Sequence, residues 1–199
     1  MVQKPGGTAA ATDGRSARST QTRAKLLRAA TELIATYGVG ALTLERVAAT
    51  AGVSKGGLLY HFGTKQELVV AMLMHTLAGA DDRLEQLAGD RSPGAFATAY
   101  LDYVRSSEHI RRGAAVGIFA SAALDEGELA PAQDQFAAWQ DRLVNDDGID
   151  PTVALLARVV GDGLWLIDLF GLAPPSETDR KAVLDLVQTM IDHAASPDR

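Results

Sequence analysis

From about Gln21 the apolar residues recur on a helical period. Leu26, Leu27, Ala30, Leu33, Ile34 and Tyr37 follow i, i+1, i+4, i+7, i+8 and i+11, one face of a helix. Gly38-Val39-Gly40 ends that helix, with Gly38 in the C′ position. Thr43 is suited to cap a short helix, Leu44–Ala51, which Gly52 breaks. Ser54 caps another from Lys55 to about Phe62, and Gly63 breaks the chain again. Thr64-Lys65-Gln66-Glu67 is a capping box that opens a long helix towards Ala88, with Leu68, Met72, His75 and Gly79 along one stripe.

Past Gly89–Pro93 the pattern predicts five more helices, roughly 93–108, 111–124, 127–146, 151–170 and 177–195. Pro151 stands at N1 behind Asp150 as N-cap, and Gly171 at C′. Ser176 caps the last helix, with Asp179 as a partial capping box. No stretch sustains a period-2 alternation of β-branched residues. The expected fold class is therefore all-α, with about nine helices: three in an N-terminal module and the rest in a larger helical body. Residues 1–19 read as a flexible arm.

Charge divides the chain. Residues 1–65 hold nine Lys/Arg against three acids, a local +6, while the remainder holds ten basic and 22 acidic residues, −12, for the net −6. A basic third on an acidic body is what a protein needs if only that third approaches a polyanion. There is no cysteine, which excludes disulfides and thiolate metal sites. The uncharged apolar run Gly113–Leu124 is shorter than the roughly 20 residues that span a bilayer, and Arg158, Asp162 and Asp168 interrupt Val153–Ala173. The first 20 residues have no apolar segment of the signal-peptide kind. The expectation is a cytoplasmic protein, nucleoid-associated when bound to DNA, with no membrane partner, no cofactor and no metal.

The second and third short helices have helix-turn-helix spacing. Ala48 lies four residues before Gly52, so the helices can cross closely, and Gly52 can take φ > 0 in the turn. Val47, Val53 and Leu58 fall where apolar residues would pin the pair to the first helix. In such a pair the N-terminal residues of the second helix, here Ser54, Lys55, Gly56 and Gly57, meet base edges and phosphates in the major groove. Two glycines on that helix cost roughly 1 kcal/mol each against alanine, a cost that makes sense where backbone must approach DNA.

The stretch Thr43-Leu44-Glu45-Arg46-Val47-Ala48, with Ala51-Gly52-Val53-Ser54-Lys55-Gly56-Gly57-Leu58-Leu59-Tyr60-His61-Phe62-Gly63-Thr64-Lys65-Gln66-Glu67-Leu68, resembles the signature of TetR-family regulators over about residues 22–72. The resemblance implies that Thr43 and Lys65 bind phosphate, that Ser54, Lys55, Gly56 and Gly57 face the groove, and that Tyr60 and His61 touch phosphates or bases. Arg46 is a further candidate contact. Leu59 stands where the family often carries an aromatic, and its side chain offers only apolar contact, as with a thymine methyl. The domain division implied is an arm (1–19), a DNA-binding domain (20–65) and an effector-binding and dimerisation domain (66–199).

The resemblance also implies a homodimer formed through the last two helices, a palindromic double-stranded operator and a small-molecule effector. A helix apolar on nearly all sides, Val153–Phe170, supports the dimer independently, because a chain this small cannot bury every face alone. Leu155, Val159, Leu166 and Leu169, with Val183, Leu186, Val187 and Met190, are the candidate interface. Candidate pocket residues are the aromatics Phe96, Tyr100, Tyr103, Phe119, Phe136, Trp139 and Trp165, with Asp162, His109 and His75 as polar partners; the aromatics serve equally as core.

No H-E-x-x-H, G-x-S-x-G, Walker A or G-x-G-x-x-G motif occurs, so no enzymatic activity is expected. A repressor released from its operator by a ligand is the reading these residues favour. A DNA-binding regulator or architectural protein without an effector shares the first 70 residues and stays open, as does activation in place of repression.

Overall fold

The computed structural model describes residues 9–89, 92–106 and 129–196, without the side chains of 9–15 and Leu169. The expected helix 111–124, with His109 and Phe119, lies outside the described residues. Among the described residues the chain is helical with no strand: α1 (Ala9–Tyr37), α2 (Leu44–Ala51), α3 (Lys55–His61), α4 (Lys65–Ala88), α5 (Ala95–Ser106), α6 (Ala130–Asp141), α7 (Pro151–Phe170) and α8 (Glu177–Ala195). A π-helical turn, Arg142–Asp146, extends α6. The chain divides into two compact units, 1–72 and 73–199.

The first helix starts earlier than its apolar stripe. Residues 9–19, expected as part of an arm, already belong to α1, where a run of three alanines has the highest helix propensity. The Thr20 and Thr22 hydroxyls donate back to the Ser16 and Arg18 carbonyls. In the first unit α1 packs against α2, and α2 against α3. Leu26, Leu27, Ala30, Leu33, Ile34, Val47, Ala48, Leu58 and Phe62 close its core. Tyr37 is the exception to the predicted stripe: it is 65% exposed, and the Arg46 guanidinium lies 5.0 Å from its ring centroid.

In the second unit α5 packs against α7 and α8, which also pack on each other. Helix α7 sorts its apolar residues by size. Ala154, Ala157, Gly161 and Leu164 recur at i, i+3, i+7 and i+10 and are buried, whereas Leu155, Val159, Leu166 and Phe170 are exposed. Small residues on the inner face let α5 come close: a Cβ on Gly161 would stand 3.0 Å from two ring carbons of Tyr100. On α8, Leu184, Val187 and Ile191 face the core and Val183, Leu186 and Met190 face outward. Val187, expected at an interface between protomers, is therefore a core residue of its own protomer, because the inward stripe of α8 falls on 184, 187 and 191.

A distant carboxylate caps α5. Asp147 is buried at 6% exposure and accepts hydrogen bonds from the backbone N–H of Phe96 (2.8 Å) and Ala97 (3.0 Å). Its carbonyl accepts from Gly94 N–H at 2.8 Å. Gly94 has φ +77°, and a Cβ there would lie 2.8 Å from Ile191 Cγ2, so the turn that leads into α5 lies against α8 at a glycine. Burial pushes the Asp147 carboxyl up, against the two N–H donors and Arg142, which pull it down. We expect Asp147→Ala to leave two buried amides unpaired and to lower the unfolding free energy by about 2–4 kcal/mol in urea titration. Asp147→Asn, which keeps one acceptor, should lose less.

Candidate nucleic-acid interface and cavity

Side-chain caps set the edges of the helix-turn-helix. Thr43 Oγ1 accepts from Arg46 N–H (3.2 Å) and Ser54 Oγ from Gly57 N–H (3.0 Å), so each short helix begins where the sequence places its cap. Gly52 sits at φ +65° and its N–H bonds back to α2. Thr64 Oγ1 accepts from Glu67 N–H at 3.0 Å. Glu67 reaches past the cap to the N–H of Gly63 at 2.9 Å. Buried Val47, Ala48 and Leu58 then hold α2 and α3 in place.

Everything predicted to contact DNA lies on these elements. Thr43, Arg46, Ser54, Lys55, Gly56 and Lys65 are exposed, Gly57 and His61 half-buried, Leu59 42% exposed and Tyr60 81% exposed. Tyr60 stacks edge-on against His61, with ring centroids 5.1 Å apart. The two glycines differ. A Cβ on Gly57 would lie 2.9 Å from Val53 Cγ1, so that glycine serves the protein's own turn. Among the described residues a Cβ on Gly56 would meet nothing within 4 Å, so no contact there asks for a glycine. Lys55 Nζ is paired with Glu45 Oε1 at 2.7 Å, and this pair holds the Glu45 carboxyl below the usual range. Such a pair is present at neutral pH and is lost as pH falls through that lowered pKa. Glu45 was not among the predicted residues; the sequence signal was an acid in the first turn of α2 within a basic stretch.

The second unit contains a cavity of about 80 Å³ with a predominantly apolar lining. Tyr100, Tyr103, Phe136, Trp139, Asp162 and Trp165, all predicted, line it. Three of them have polar partners within the protein. The Tyr100 hydroxyl donates to Asp162 (2.5 Å), Asp162 pairs with Arg158 (3.3 Å), and Trp139 Nε1 donates to Asp81 (2.6 Å). Burial, with the Asp162 charge beside it, pushes the Tyr100 hydroxyl far above its ordinary range, and burial alone raises Tyr103. Both phenols therefore stay neutral at physiological pH.

Two predicted residues are elsewhere. His75 is exposed and off the cavity; α4 lines it with Thr76, Leu77, Ala80 and Leu84. The buried stripe of α4 runs through Val69, Leu73, Leu77, Ala80 and Leu84, one position round from the line that His75 continues. Phe96 is core, 2% exposed, with the Arg142 guanidinium 3.9 Å from its ring centroid. Among the described residues no helix is long and apolar enough to cross a membrane, and no His, Cys, Asp or Glu group could hold a metal.

Two family models match the chain. Residues 26–72 match "Bacterial regulatory proteins, tetR family", and residues 94–192 match "Tetracyclin repressor-like, C-terminal domain". The HTH-type transcriptional regulator TtgW of Pseudomonas putida is 33% identical over 93 residues, 46% of this chain and 69% of TtgW. In other curated relatives the matched stretch is under half of their length, 44% and 47%. A transcriptional regulator from Rhodococcus sp. Rha1 aligns over 85% of this chain and 95% of its own at 25% identity and TM-score 0.66. The multidrug binding protein EbrR, solved with ethidium, aligns over 83% and 97% at 25% identity and TM-score 0.62. With both of its units matched and two thirds of TtgW covered, the chain belongs to the tetR family of bacterial regulatory proteins.

Proposed function

We propose that this protein is a sequence-specific DNA-binding transcriptional regulator, a homodimeric repressor that a small-molecule effector releases from a palindromic operator. The observation that carries the DNA-binding reading is the helix-turn-helix itself: α3 is capped, pinned by Leu58, and otherwise exposed along its basic start. Residues 20–65 are the DNA-binding domain in this reading, with the start of α1 leading into it, and 66–199 the effector and dimerisation domain. It acts in the cytoplasm, on the nucleoid, without a cofactor, and catalyses no reaction.

The dimer reading rests on the outward faces of α7 and α8. Leu155, Val159 and Leu166 on one, and Val183, Leu186 and Met190 on the other, are large apolar side chains between 38% and 63% exposed. A second copy of the same pair would cover them in a two-fold, self-complementary contact. Two-fold symmetry then matches the palindromic half-sites, one turn of duplex apart.

The effector reading rests on the cavity. The polar atoms of Tyr100, Asp162 and Trp139 are already hydrogen-bonded or ion-paired within the protein, and the lining is mostly apolar, which favours a small apolar ligand that stacks on the rings. EbrR, of similar fold, binds ethidium, which supports a ligand role for this unit. Helix α4 carries Lys65 at its start and Leu77, Ala80 and Leu84 at the cavity, so it is the natural lever between effector and DNA. The cavity is far below the roughly 300–1,000 Å³ of a drug-sized site. That size favours the second reading, a regulator without a small-molecule effector. Both tryptophans of the chain line the cavity, so their emission reports its occupancy. A saturating effector is expected to weaken operator binding roughly 5–150-fold. Unchanged operator affinity at saturation would select the effector-free reading.

Two substitutions test the remaining parts. On a duplex selected from a random library, Gly56→Ala should stabilise α3 by up to about 1 kcal/mol in denaturation yet weaken binding, because the new Cβ faces the duplex. Stabilisation without loss of affinity would remove Gly56 from the interface. Val159→Glu with Leu186→Glu should give monomers in sedimentation and keep the helical circular dichroism. Dimers that survive both changes would place the interface elsewhere.

A further inference from the structure

Lys55, the first residue of α3, is already engaged. Its ammonium lies 2.7 Å from a carboxylate oxygen of Glu45, in the first turn of α2, and both side chains are more than 60% exposed. Glu45 is one of only three acids among residues 1–65, against nine basic residues. An exposed carboxylate beside a lysine that must reach a polyanion works against binding unless it has a use.

We infer that Glu45 is a built-in competitor for DNA: it occupies Lys55 as a phosphate would, and so sets operator affinity and its salt dependence. The inference rests on the DNA-binding reading above. To an ammonium group, a carboxylate and a phosphate present the same kind of anionic oxygen. When Lys55 turns to the duplex, about 0.9 of a condensed cation is released per phosphate contact. The Glu45 carboxylate left behind takes up a counterion in return, so the net ion release is smaller. The unpaired carboxylate also faces the polyanion. Glu45 therefore acts through Lys55, as a positioning residue with an affinity cost.

The test is a double-mutant cycle, Glu45→Gln, Lys55→Gln and both, on the full-length protein and a duplex selected from a random library, titrated with salt. Glutamine keeps the length and the helical position. Denaturation of each variant in the absence of DNA separates folding from binding. Glu45→Gln is expected to tighten binding about two- to fivefold, the range of one exposed ion pair. The slope of log affinity against log salt should steepen by up to about one unit. Most of the gain should vanish in the Lys55→Gln background. Unchanged affinity and slope in Glu45→Gln overturn the inference. So does weaker binding, which would make Glu45 a direct contact, for example to a cytosine amino group. An equal gain with and without Lys55 also overturns it, because Glu45 would then act on the duplex by charge alone. Failure of the wild-type protein to bind any duplex selectively overturns the DNA-binding reading, and this inference with it.

Discussion

The second unit depends on how α7 divides its apolar residues between two faces. Alanine and glycine on the inner face let α5 pack close, so the Tyr100 ring lies against the backbone at Gly161. That contact puts the Tyr100 hydroxyl within reach of Asp162, one residue further along the same helix, and the Asp162–Arg158 pair follows. The cavity is what remains beside this arrangement. Replacing the inner alanines with larger residues would push α5 away, and both the cavity and the Asp147 cap would lose their geometry. Leu155, Val159, Leu166 and Phe170 of α7 face outward and are exposed among the described residues.

The first unit is ordered differently. Its helices α2 and α3 are eight and seven residues long, too short to persist alone in water. Three buried side chains and two capping side-chain bonds hold them, which leaves the exposed edge of α3 to chemistry and not to packing. Gly56 fits this division, since among the described residues nothing would touch a Cβ there. The Lys55–Glu45 pair belongs to the same exposed edge. Its partners are ten residues apart in the chain and meet only because α2 and α3 cross.

Signals that are local in the chain carry over into the structure. The caps Thr43, Ser54, Asp150 and Ser176, and the left-handed Gly52 and Gly171, stand where residue type placed them. Departures arise where adjacent stripes compete. On α4 the line through Leu68 and Met72 is buried that far and then surfaces at His75, while the line through Val69 and Leu73 stays buried to Leu77. Both lines are equally regular, and only the packing of neighbours selects the second. Tyr37 belongs to the core by periodicity and is a platform for Arg46 in the fold. Phe96 is as aromatic as Phe136, but lies under Arg142 away from the cavity.

The sequence by itself determined most helix boundaries, the helix-turn-helix and the family, because caps, glycine turns and the recognition-helix motif act within a few residues. Which aromatic lines the cavity, that Val187 turns inward, that Asp147 caps a helix 50 residues away and that Glu45 holds Lys55 were decided only by the tertiary structure. Each of these depends on a pairing between elements, and a helical period fixes the angle between residues on one helix without naming the surface that any of them will meet.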